Sequence, residues 1–177
     1  VLTVGAGGDF SLSHNGADTF MANNTGHFYI TTTSDDKDII FRTDDGSGNV
    51  TSYFRVDGST ENVIYEKNLK LQDNVQAQFG TGEDLKIYHD SSDSYLRNFT
   101  GNFYIQTDVD DGSIFFRTDN GSGGIANYLR INGSDELINF HKNSKHMDNV
   151  KATFGDSGDL EIYHDGSNSY IQDSGTG

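Results

Sequence analysis

The chain has 177 residues, 33% of them hydrophobic, and a formal net charge of −15. An ordinary globular chain is about 45–50% apolar when glycine is counted, so a single compact core would be thin here. The charge repels nucleic acid and anionic membrane surfaces, and no apolar run approaches the roughly 20 residues of a membrane helix.

Order is nevertheless indicated. Twelve Phe and nine Tyr are more than disordered chains carry, and 21 Gly among many Asp, Asn, Ser and Thr point to frequent turns. There is no Cys, Pro or Trp, so neither disulfides nor thiolate metal sites contribute stability. An all-β chain of many short strands follows.

Internal self-similarity organises these strands. Residues 5–79 align with 80–154 without a gap, and 35 of the 75 positions are identical. Residues 155–177 begin a third copy, and residues 1–4 occupy the place of residues 76–79, the end of a preceding one. The chain therefore reads as a segment of a longer array.

In chain order, the first copy opens with a turn at Asn15-Gly16-Ala17-Asp18, and a second is expected at Asp44-Asp45-Gly46. In the second copy, residues 84–90 alternate as a strand, with Leu85, Ile87 and His89 on one face. A turn at residues 91–94 leads to Tyr95-Leu96. Further strands are predicted at 102–107, 114–118 and 128–131. They are separated by Asp110-Asp111-Gly112-Ser113 and Asn120-Gly121-Ser122-Gly123, and Asn132-Gly133-Ser134 follows. Asp-Gly and Asn-Gly steps between alternating apolar residues are strong hairpin signals. The third copy turns at residues 166–169. No segment shows capped helical periodicity, and a short helix over 142–149 is not adopted.

Strands of this length bury little surface per repeat, and a polar 75-residue unit alone would struggle to offset its ordering entropy. Repeats could stack along an axis like a solenoid, or chains could wind together so that apolar faces meet. A narrow apolar seam inside a wide polar exterior suits a homotrimeric β-fibre. A lectin-like sandwich ranks below both.

The run FGDSGDLEIYHDGSNSYIQDSGTG at residues 154–177 resembles repeats of tail-fibre and structural proteins of marine bacteriophages. Residues 79–96 and 4–21 look like more diverged versions, and YFRVDGSTENV and YLRINGSDELI are similar to runs in the same fibres. The resemblance implies a homotrimeric shaft, located in the virion or otherwise extracellular, whose far end meets the host surface. Two other functions stay open: a glycan-binding adhesin module, and the protomer of an extracellular microbial filament.

Several constellations could carry chemistry. His14, His89 and His164 occupy one place in successive copies, so three chains could bring imidazoles to one metal ion. With one His per repeat and no His-X-His pair, a strand histidine bonded to a neighbour is the preferred reading. Asp35-Asp36-Lys37-Asp38, Asp44-Asp45, Asp90 with Asp93, and Asp108 to Asp111 could offer oxygens to Ca²⁺. None has the spacing of a known calcium loop, and turn formation is preferred, so no cofactor is expected. Tyr29, Tyr104, Tyr88 and Tyr163, with Phe28, Phe103, Tyr53 and Tyr128, could stack on sugars or pack between chains, and packing is preferred. Asn-X-Ser/Thr triplets start at Asn23, Asn49, Asn98, Asn120 and Asn132 and are expected by chance in such a composition. No nucleophile elbow, HExxH helix or phosphate loop is present, so no catalysis is expected.

Overall fold

The computed structural model describes residues 1–175. These residues form strands and turns with no helix. The first unit of the chain, Val1–Thr100, holds three sheets, each a three-stranded antiparallel meander. The first joins β1 (Leu2–Val4), β2 (Phe10–His14) and β3 (Thr19–Asn23); the second joins β4 (Ile39–Asp44), β5 (Val50–Asp57) and β6 (Asn62–Tyr65). The third joins β7 (Ala77–Phe79), β8 (Leu85–His89) and β9 (Ser94–Asn98). The second unit starts at Gly101 and holds two sheets. One joins β10 (Ser113–Asp119), β11 (Ile125–Asn132) and β12 (Leu137–Phe140); the other joins β13 (Ala152–Phe154), β14 (Leu160–His164) and β15 (Ser169–Asp173).

Two kinds of sheet alternate, and their strands recur 75 residues apart: β7, β8 and β9 lie at the offset of β1, β2 and β3, and β11 at that of β5. The phase differs from the sequence cut. A division between residues 79 and 80 separates β7 from β8, which are hydrogen-bonded in one sheet.

Local chemistry explains the turns. Between β4 and β5, Asp44 accepts from the Gly46 and Gly48 amides and Asp45 from those of Ser47 and Asn49. The β10–β11 turn repeats this with Asp119 and Asn120. Tyr53 and Tyr128 lock the same hairpins, each hydroxyl donating to the carbonyl of Asp44 or Asp119, 3.1 and 3.0 Å away. Both hairpins carry a bulge, after Phe41 and after Phe116. At the β11–β12 turn only glycine fits, since a Cβ on Gly133 would strike the Gly112 carbonyl oxygen. That oxygen accepts the Gly133 amide at 3.0 Å.

One predicted strand is absent. Residues 102–107 carry no strand, nor do their counterparts at 27–32. Strand propensity is local, whereas a strand is defined by its ladder, and the backbone groups of both segments bond to no other backbone group among the described residues. Residues 142–149 form no helix.

The location of the core is the unusual feature. No hydrophobic residue among the described residues is buried; the buried residues are Asp57 and Asn132, 6% and 2% exposed. Within each unit, strands of different sheets make no close backbone approach. The chain exposes 14421 Å². A compact protein of this mass would expose about 8,500 Å², and two separate domains of half the mass about 10,300 Å² together.

Candidate functional site

Register gathers rows of apolar residues on one face of every sheet, because residues directly opposite in a ladder share a face and alternate along the strand, while Phe20, Ile40, Ile64 and Phe115 fall on the opposite faces. In the first sheet Leu2, Leu12 and Met21 align, as do Val4 and Phe10. In the third, Ala77, Ile87 and Leu96 align beside Phe79 and Leu85. In the fifth, Ala152, Ile162 and Ile171 align beside Phe154 and Leu160. The other kind of sheet aligns Ile39 with Val56 and Val63, and Phe41 with Phe54 and Tyr65. Its copy aligns Ile114, Ile131 and Ile138, and Phe116, Leu129 and Phe140. Across these rows no Asp, Glu, Lys or Arg stands opposite an apolar residue except Asp173, paired with Leu160.

The opposite faces carry the charge. Lys86 bonds Glu83 at 2.7 Å and Lys151 bonds Glu161 at 2.7 Å; the latter bond raises the Lys151 pKa. Arg55 faces Asp38, Asp57 and Glu66 at 3.2, 3.4 and 2.6 Å. In the second copy the corresponding positions are Ser113, Asn132 and His141. Arg130 there reaches the Ser113 hydroxyl at 3.0 and 3.1 Å and lies over the Phe115 ring. The same arginine position thus faces three carboxylates in one copy and a serine hydroxyl and an aromatic ring in the other.

Asp57 is the best-satisfied acid of the cluster. Its Oδ1 accepts from the Ser59 hydroxyl at 2.7 Å and from the Ser59 and Thr60 amides at 2.9 and 3.0 Å. The Ser59 hydroxyl and then the Thr60 amide lower its pKa to about 2. Turn amides likewise lower the pKa of Asp45, Asp90 and Asp165. These carboxylates are engaged by N–H donors of their own turns.

The predicted site residues separate into distinct settings. His14, His89 and His164 each stand in a different sheet, exposed, with Nδ1 against the hydroxyl of Thr19, Ser94 or Ser169 at 3.3, 3.1 and 3.2 Å. No three His, Asp or Glu side chains among the described residues are gathered as a metal site. Tyr88 and Tyr163 stack on Tyr95 and Tyr170, both pairs at 4.8 Å between centroids. The Tyr170 hydroxyl donates to Asp165 at 2.9 Å, which raises the tyrosine's pKa. Tyr29 and Tyr104 are 78% and 74% exposed on the strandless segments, and Phe28 stacks on Phe10 at 5.9 Å. Asn132, being buried, is not accessible to a glycosylating enzyme.

Sequence reasoning missed the grooves beside those strandless segments. One groove of about 400 Å³ is walled by Ile30 and Thr31 on one side and Ile39 and Val56 on the other. Its counterpart of about 290 Å³ lies between Ile105 and Thr107 and the Ile114 and Ile131 pair. At the 75-residue offset Ile30, Ile39 and Val56 correspond to Ile105, Ile114 and Ile131, and Thr31 and Thr32 of the first groove correspond to Gln106 and Thr107 of the second. No protein family, curated protein or solved structure matches the chain.

Proposed function

We propose that the chain is a structural segment of a multi-chain β-fibre, a shaft that spaces or presents a host-binding tip in a phage tail fibre or similar virion fibre. One observation carries the reading: five sheets each have an apolar face, yet no hydrophobic residue among the described residues is buried. Burial of apolar surface is the dominant favourable term in folding. A chain with this pattern reaches it by laying its faces against other copies, and a homotrimer is the assembly proposed. The 75-residue recurrence then makes length a matter of repeat number, and the acidic residues keep the exterior soluble. Sedimentation velocity tests this directly. An elongated oligomer is expected; a compact 19.5 kDa monomer overturns the proposal.

The stacked tyrosine pairs favour a second reading, a glycan-binding adhesin module. They offer flat aromatic surface beside charged residues, and binding on a glycan array that disappears in Tyr88→Ser and Tyr163→Ser variants would support it.

A further inference from the structure

We infer that residues 27–33 and 102–107 are strands whose hydrogen-bonding partner is the sheet edge of a second copy of this chain. The inference rests on the multi-chain reading and adds which backbone joins the copies. Both segments have strand chemistry: HFYITTT and NFYIQT are aromatic and β-branched, the residues enriched in strands. Neither contains Pro or a charged Asp, Glu, Lys or Arg. Their backbone N–H and C=O groups nevertheless bond to no backbone group among the described residues. Residues 27–32 and 102–107 occupy equivalent places in the two copies, so the same residue pattern leaves a strand unpaired twice.

A copy of the chain is the occupant the observations favour. Each sheet is a three-stranded meander, so its outer strands keep one open edge, and an open edge is a template for another strand. Lone segments and open edges therefore occur in the same chain, and a copy supplies what each lacks. The segments are free of carboxylates in a chain of net charge −15, which lets a like-charged molecule approach there. Ile30 and Ile105 each border a groove whose far wall is apolar, ready to receive side chains of an added strand.

Hydrogen exchange on the assembled full chain tests the inference. Alternate amides of residues 27–33 and 102–107 should exchange about 100-fold more slowly than in an unstructured peptide. Proline removes the donor that an edge strand needs, so the paired variants Tyr29→Pro with Tyr104→Pro, and Ile30→Pro with Ile105→Pro, sample both strand parities. One pair should abolish assembly while circular dichroism shows the five sheets retained, and Ile30→Val with Ile105→Val should assemble normally. An assembled chain whose segments exchange at free-peptide rates overturns the inference and leaves the fibre reading standing. Normal assembly of both proline pairs does the same. A monomeric parent chain overturns both.

Discussion

Replacing Ile171 by alanine separates a chain that folds alone from one that completes its core with copies. Ile171 lies opposite Ile162 on the apolar face of the β13–β14–β15 sheet and is 79% exposed in the single chain. Little apolar surface is lost there on truncation, and exposed positions of this kind stay within about 0.5 kcal/mol. Covered by a neighbouring chain, the same side chain is a core residue, and truncating a buried Ile to Ala costs about 2–5 kcal/mol. Taking the lower end, the assembly weakens about 30-fold per chain, and the melting temperature falls by about 4–8 °C for a chain of this size. Sedimentation equilibrium and thermal melts over a range of protein concentrations read both quantities. Gln172→Ala, on the opposite face, serves as the control and should change neither. If Ile171→Ala melts within about 1–2 °C of the parent and associates equally well, the reasoning fails.

Other outcomes follow from single contacts. The Asp57 pKa is lowered from 3.8 to about 2, so its contribution to stability is present above about pH 4 and is lost as pH falls through about 2. Carboxyl NMR should show Asp57 titrating below the other aspartates, and in Asp57→Asn, which copies the Asn132 arrangement, the acid-limb loss of melting temperature should shrink. Gly133→Ala sets a methyl group against the Gly112 carbonyl and should destabilise by about 1–3 kcal/mol in denaturant melts, the size of an overpacking clash, here against backbone. Because Asp44, Asp45, Asp90 and Asp165 accept from their own turn amides, EDTA should leave the melting temperature unchanged; a fall reversed by Ca²⁺ would restore the metal reading. Tyr170→Phe removes a donor that lowers the Asp165 pKa, and that pKa should rise towards the ordinary carboxylate value in an NMR titration.

Much of the local architecture was legible. Residues 85–89 alternate and residues 114–118 read as a strand between Asp- and Asn-rich turns, and the turn chemistry that ends them is written in adjacent residues. The three-residue strands β1, β7 and β13 were not read, because two apolar residues around a polar one carry almost no periodic signal. Their attachment also hid the phase of the sheets: Phe79 closes a repeat in the alignment but pairs with Leu85 across the cut. The histidine tethers depend on cross-strand register, His89 opposite Ser94, which follows once the hairpin is known and not before. At residues 102–107 the sequence signal and the single-chain ladder disagree. Propensity reports what a segment is suited to, whereas pairing requires a second edge, and this chain does not bring one to it.

The meander order has a kinetic consequence. Every strand pairs only with its neighbours in sequence, so the longest sheet closes over the short span from Ser113 to Phe140. Such local pairing closes small loops and is fast, and no sheet waits for a distant part of the polypeptide to be synthesised. A nascent chain can finish its sheets one after another as it emerges, and the proposed meeting of chains is then the step that depends on concentration. Adding or deleting a repeat alters neither the order of these events nor the difficulty of any one of them.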